Sequence, residues 1–148
     1  IARARCQPSL RHGSVTYEQL AAVSDVRANQ HEVPPAEKPR SPGLAYRHYA
    51  PQAPLILALD ASALHRYLHG EPRRDQCAVI HHSPLSGHKG PTHRLSADAT
   101  EAARDLFAVL RRLDAAAPEQ ILVEGYPEIG IGRALMDRLR RGAAAVVS

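Results

Sequence analysis

From Pro54 onward, apolar positions fall into two alternating kinds of run. Leu55-Ile56-Leu57-Ala58-Leu59, Cys77-Ala78-Val79-Ile80-His81 and Gln120-Ile121-Leu122-Val123-Glu124 are short and nearly continuous. That is the pattern of strands buried on both faces. Between them the spacing turns helical. A short helix is predicted over roughly 62–69, capped by Asp60 or Ser62 and closed by Gly70 and Pro72. Residues 83–91 are a loop rich in Gly and Pro, and Thr92-His93-Arg94-Leu95 reads as a short strand. Asp98 with Glu101 starts a second helix, whose apolar face is Ala99, Ala102, Ala103, Leu106, Phe107, Leu110 and Leu113, and which runs to about Ala116. Its other face carries Arg104, Asp105, Arg111 and Arg112. Gly130 and Gly132 open a last helix with Ile131, Leu135, Leu139 and Ala143 on its buried side. Strands alternating with helices predict an α/β domain over 54–148, with three layers around a mainly parallel sheet.

Ahead of Pro54 the periodicity breaks. Thr16 with Gln19 forms a capping box, and Leu20, Val23 and Val26 give one apolar face, so a helix is expected near 17–24. Residues 27–40 are polar and Pro-rich, a linker with extended, polyproline-like character. Then comes Ser41-Pro42-Gly43-Leu44-Ala45-Tyr46-Arg47-His48-Tyr49-Ala50-Pro51. Pro42 and Pro51 fix their own φ, push Ser41 and Ala50 toward extended geometry, and Gly43 permits a turn. Between these breakers sit a planar cation, an imidazole and two phenols. Such residues can stack on, hydrogen-bond and neutralise a nucleotide. The plainer reading is a domain linker whose aromatic residues dock on a neighbouring domain.

The bulk numbers narrow the field. A chain of 148 residues suffices for one ordinary domain and an extension. The formal charge of +4 is compatible with a nucleotide or RNA partner without requiring one. Cys6 and Cys77 form no CxxC pair, which speaks against a disulfide scaffold or a zinc module and suits a reducing compartment. No apolar run reaches the length of a membrane span. The chain starts on Ile1 rather than Met, which reads as a fragment or a processed piece.

Three further constellations invite chemistry. Gly130-x-Gly132, after a strand and before a helix, is part of a dinucleotide fingerprint, but Leu135 stands where the third glycine belongs. A tight turn explains the pair as well. His81, His82, His88 and His93 surround one loop, yet their spacing matches no zinc motif, and surface histidines are the alternative. Glu124, with Tyr126 nearby, ends a strand at the edge where α/β sheets place ligands; it could equally cap the final helix or meet an arginine.

Ser41 to Pro51 also resembles the interdomain linker of the two-domain L-threonylcarbamoyladenylate synthases, departing from the family form at Leu44 and Ala45. Gly130-Ile131-Gly132-Arg133-Ala134-Leu135-Met136-Asp137-Arg138-Leu139 is similar to the helix that ends that family's second domain. Ser9-Leu10-Arg11-His12-Gly13 resembles the last turn of its YrdC-like first domain, with His12 in place of a proline. The resemblance implies a remnant of the YrdC-like domain over 1–26, an interdomain linker over 27–53 and a Rossmann-like domain over 54–148. It implies that the whole enzyme joins L-threonine, bicarbonate and ATP, with magnesium, into threonylcarbamoyladenylate and pyrophosphate, toward threonylcarbamoyladenosine in cytoplasmic tRNA. Arg11, His48 and Tyr49 would then reach the nucleotide, and Ser41, Pro42, Gly43, Tyr46, Arg47, Ala50 and Pro51 would shape the linker that closes the site. The partner would be the missing YrdC-like domain, with tRNA or tRNA-modification proteins as further candidates. No catalytic residue, metal ligand or membrane contact is expected in this chain, and alone it should be inactive. The competing reading is a non-catalytic Rossmann-like module that binds a nucleotide, RNA or protein.

Overall fold

Burial on both faces is what the three apolar runs require, and the fold supplies it. The computed structural model describes residues 51–148, and residues 7–9, 18–19, 22 and 26–28 of the preceding segment. In the preceding segment, β1 (Gln7–Ser9) pairs in parallel with β2 (Val26–Ala28). The main body then runs β3 (Leu55–Ala58), α1 (Ala61–Gly70), a 3-10 turn (Arg74–Gln76), β4 (Cys77–His81), β5 (Thr92–Arg94), α2 (Ala99–Asp114), β6 (Gln120–Glu124), α3 (Ile131–Gly142) and β7 (Ala145–Val147).

The five strands of the main sheet lie in the order β5-β4-β6-β3-β7, and every neighbouring pair is parallel. Side chains alternate across it. Ile56, Ala58, Val79 and Leu122 meet Ala63, Leu64 and Leu68 of α1 on one face. Leu55, Leu57, Ala78, Ile80, Ile121 and Val123 meet Leu106, Leu110, Leu135 and Leu139 of α2 and α3 on the other. This is the three-layer, Rossmann-like arrangement expected from the alternation of elements.

The helix starts follow the expected chemistry. Asp60 Oδ1 accepts the Ala63 N–H at 2.8 Å. Asp98 Oδ1 accepts the N–H groups of Glu101 and Thr100, at 3.0 and 2.8 Å, and these bonds hold its carboxyl below the usual aspartate range. At its other end α2 stops at Asp114, short of Ala116, because Ala117 adopts φ 48° and its N–H turns back to the Asp114 carbonyl at 2.9 Å.

Two expectations about the preceding segment change. Glu18 and Gln19 are helical and Ala22 N–H bonds the Glu18 carbonyl at 3.1 Å, but Val26 belongs to β2 and not to that helix. Arg27 and Ala28, at the start of the stretch read as linker, pair with Pro8 and Ser9. β7 was not anticipated at all: it pairs with β3 along Ile56–Ala145 to Ala58–Val147 and closes one edge of the sheet.

Candidate functional site

Parallel α/β sheets present ligand sites at the carboxyl ends of their strands. Here β4 ends at His81, β6 at Glu124 and β3 at Ala58, side by side. The Glu124 side chain is buried, with 2% of the residue exposed. A buried carboxylate must be paired or hydrogen-bonded, and Glu124 is. Its Oε2 accepts the His82 N–H at 2.8 Å and the Ser83 N–H at 3.0 Å, and its Oε1 accepts the Ser83 hydroxyl at 2.5 Å. His82 Nε2 lies 3.5 Å from Oε1 and 2.9 Å from the Gly125 carbonyl. Burial pushes the Glu124 carboxyl up, but the bonds from Ser83 and His82 outweigh it, and the net shift is downward.

Around this carboxylate the chain is drawn tight. Gly125 N–H bonds the Ala58 carbonyl at 2.7 Å, and a Cβ on Gly125 would meet the Leu59 carbonyl oxygen at 2.8 Å. Tyr126 stacks against His82 with ring centroids 4.4 Å apart and donates its hydroxyl to the Ser96 carbonyl at 2.9 Å. Burial, then the charge of Glu124, raises the phenol to about 12. Glu124 therefore neither caps the final helix nor meets an arginine. It straps the exit of β4 to the end of β6 through three hydrogen bonds to its carboxylate oxygens.

The glycine pair is explained by backbone geometry. Gly130 sits at φ 56°, ψ −127°, a region L side chains rarely adopt. Gly132 is buried where a Cβ would stand 2.1 Å from the Pro127 carbonyl oxygen. In the first turn of α3, Gly132 N–H already bonds Ile129 and Arg133 N–H bonds Gly130. Those two donors are not available to a phosphate, and the tight turn accounts for both glycines.

The histidines disperse into separate roles. His81 Nδ1–H donates to the Ser83 carbonyl at 2.7 Å, and His93 Nδ1 faces Arg112 Nη2 at 2.6 Å. Burial, then the Arg112 charge, lowers His93. His88, within the loop, lines a cavity of about 120 Å³ together with His65, His69 and Arg74, and its burial likewise lowers its affinity for a proton. Among the described residues no group of three or more His, Cys, Asp or Glu side chains is placed to hold a metal ion. The magnesium implied by the resemblance thus finds no ligand set among them. Cys77 is a free thiol, buried and raised by that burial, with Gln120 Nε2 donating to its sulfur at 3.1 Å. No helix among the described residues is long and apolar enough to cross a membrane.

Arg11, Ser41, Pro42, Gly43, Tyr46, Arg47, His48, Tyr49 and Ala50 lie outside the described residues; Pro51 lies at their boundary, half-buried. Immediately after it the chain is held. Gln52 N–H donates to Asp114 Oδ2 at 3.0 Å and Ala53 N–H to Asp114 Oδ1 at 2.9 Å. The Pro54 carbonyl accepts the Ile121 N–H at 2.9 Å. In the segment before the linker, Glu18 pairs with Arg133 of α3 at 3.1 Å. Sequence reading missed Asp114. The available signal was an acidic residue in the last turn of a helix, where the macrodipole disfavours negative charge.

With this geometry in hand, comparison with known proteins gives a consistent picture. Residues 15–144 match the family described as Threonylcarbamoyl-AMP synthase, C-terminal domain. The chain is 30% identical over 145 residues to the threonylcarbamoyl-AMP synthase of Bacillus subtilis (strain 168), covering 93% of this chain and 42% of that protein. Among solved structures, it is similar to the crystal structure of Pyrococcus abyssi Sua5 complexed with L-threonine, with a TM-score of 0.73, 26% identity, and 94% of this chain and 43% of that one covered. It also resembles the C-terminal Sua5 domain from Pyrococcus horikoshii, with a TM-score of 0.51, 27% identity, and 66% of this chain and 98% of that one covered. The chain thus spans less than half the length of the curated relative it matches.

Proposed function

The chain belongs to the threonylcarbamoyl-AMP synthase C-terminal-domain family, and from that premise we propose that it acts as the linker and second domain of such a synthase. The complete enzyme joins L-threonine, bicarbonate and ATP into threonylcarbamoyl-AMP and pyrophosphate, in the cytoplasm, for transfer to tRNA. Its first domain carries the chemistry. This chain supplies Arg11 to the nucleotide phosphates, and the stretch 41–51 as a lid. Within the lid, His48 and Tyr49 hydrogen-bond the nucleotide and keep water from the labile mixed anhydride. Ser41, Pro42, Gly43, Tyr46, Arg47, Ala50 and Pro51 set its path. Magnesium travels with ATP, and no ligand for it is assigned to this chain.

The observation that supports this division of labour is the state of the sheet's carboxyl edge. Glu124, the acidic residue best placed there for chemistry, is spent on His82 and Ser83. The second domain is therefore a platform, and the reactive contacts belong to the linker and the first domain.

The test is His48→Ala with Tyr49→Ala in the assembled two-domain enzyme. A hydrogen bond to a charged group contributes about 1.5–3 kcal/mol, so ATP affinity is expected to fall about tenfold or more. The melting temperature should hold, since neither residue lies in the periodic core. Intact affinity with a lowered melting temperature would mean that the two residues serve domain docking instead.

A further inference from the structure

We infer that the outer face shared by α2 and α3 is a docking surface for the phosphate backbone of RNA, built from Arg104 and Arg111 of α2 and Arg138 of α3. The choice of RNA rests on the proposed function above; the contact to phosphate does not.

Helical spacing assembles the surface. Arg104, Phe107 and Arg111 follow one another at intervals of three and four, so they form one stripe along α2. The two arginines stand two turns apart, about 10 Å along the helix axis. α3 packs on the same side of the sheet as α2. From α3, the Arg138 guanidinium carbon lies 5.8 Å from the centre of the Phe107 ring. That contact sets a third cation beside the stripe and holds it over an aromatic face. Arg104, Arg111 and Arg138 are all exposed.

What distinguishes these cations is the lack of a carboxylate. Elsewhere the chain pairs its arginines: Arg73 with Glu119 at 2.6 Å, Arg133 with Glu18 at 3.1 Å, Arg141 with Asp137 at 2.9 Å, and Arg140 with Glu128. Arg104, Arg111 and Arg138 form no ion pair among the described residues. The nearby acids are otherwise engaged. Asp114, one turn beyond Arg111, accepts the Gln52 and Ala53 N–H groups, and Asp98 caps α2, feeling the charge of Arg104 without pairing with it. The helix dipole accounts for Arg111, in the last turn of α2. It does not account for Arg104 or Arg138, which stand inside their helices.

Guanidinium forks bind phosphate bidentately. A nucleic-acid strand repeats its charge at every nucleotide, so any stretch of backbone can meet a row of cations. A folded acidic protein would have to place carboxylates at this spacing. The formal charge of +4 favours a polyanion in the same sense. Since Phe107 is covered by Arg138, the face offers charge and no free stacking platform for a base. Binding should therefore be indifferent to RNA sequence and steeply dependent on salt.

The test measures binding of the 148-residue chain to unfractionated tRNA across a salt series, with no threonine, bicarbonate or ATP present. Arg104→Gln, Arg111→Gln and Arg138→Gln together should weaken binding about tenfold or more at low salt. They should also flatten the slope of log affinity against log salt by about 2, because each lost phosphate contact removes about 0.7–0.9. The corresponding triple lysine variant should keep the slope and lose only part of the affinity. Arg66→Gln, an exposed arginine of α1 on the opposite side of the sheet, is the control and should change little. Each single glutamine variant should cost about threefold, which keeps the result readable if the triple variant does not fold.

Triple and single glutamine variants that bind tRNA no more weakly than Arg66→Gln would overturn the inference. So would a triple lysine variant whose slope is flattened as much as that of the triple glutamine variant. Polyglutamate bound as tightly as tRNA, and lost with the same substitutions, would overturn RNA in favour of an acidic protein partner. Binding is read without catalysis, so its failure is distinguishable from failure of the synthase reading, which pyrophosphate release decides.

Discussion

Gly132→Ala is expected to lower the stability of the domain by about 3 kcal/mol, near the top of the usual range for forcing extra atoms into a packed site. For a body of this size that is a fall of roughly 10–25 °C in melting temperature. The cause is a backbone collision. An added Cβ would lie 2.1 Å from the Pro127 carbonyl oxygen and 3.3 Å from its carbon. Pro127 cannot swing away like the end of a flexible side chain, because its carbonyl also accepts the Ile129 N–H at 2.9 Å. Relief requires the turn before α3 to move, and with it the Tyr126 N–H that meets Met136 Sδ at 3.2 Å. Two other glycines calibrate the measurement. Gly130→Ala has open space but a φ of 56°, so it should cost about 1–3 kcal/mol from backbone strain. Gly70→Ala has open space and no such φ, and should be near neutral. Thermal melts of the three variants should rank Gly132, Gly130, Gly70 from most to least damaging. A Gly132→Ala protein as stable as Gly70→Ala would show that the turn and helix are not packed as described.

Glu124→Ala should be comparably damaging, for an electrostatic reason. It strands the N–H groups of His82 and Ser83 and the Ser83 hydroxyl, and an unsatisfied buried donor costs about 1–3 kcal/mol. A total loss of about 3 kcal/mol or more is expected. The carboxyl's downward shift fixes the pH dependence. A group whose folded pKa lies below its unfolded value of 4.5 stabilises the fold fully above that value. The contribution is lost as pH falls through and below it. Denaturant melts between pH 7 and pH 3 should therefore show the unaltered chain losing this stability on the acid side. Glu124→Gln should start lower at pH 7 and lack that part of the acid slope. Parallel pH profiles for the two would mean that Glu124 is not held as an ionised, hydrogen-bonded strap.

Much of the fold can be read along the chain because its signals are local. β3, β4 and β6 announce themselves as apolar runs since parallel strands with helices on both faces have no polar side. Asp60 and Asp98 mark their helices because a cap acts on N–H groups two or three residues away. β7 gives no such signal. It is three residues long, has Ala145 and Val146 exposed, and exists because β3 offers it an edge. The β1–β2 pair escapes for the same reason, with Pro8 inside one of its three-residue strands. The site divides along the same line. The 41–51 string is recognisable as a string. The commitments of Glu124 and Asp114 are not, since their partners lie 41 to 62 residues away and no periodicity encodes them. Hence Glu124, at the edge where a ligand could sit, is engaged by His82 and Ser83, and Asp114 holds Gln52 and Ala53.

The most direct measurement of the account is threonine-dependent pyrophosphate release from ATP and bicarbonate. It is run with this chain alone, with a separately produced YrdC-like domain alone, and with the two mixed. As a linker and second domain, the chain should release none by itself. Mixed with the catalytic domain it should raise the rate above that of the catalytic domain alone, and the His48→Ala, Tyr49→Ala variant should raise it less. Threonine-dependent release by the chain alone, or a mixture no faster than the catalytic domain alone, would contradict the account.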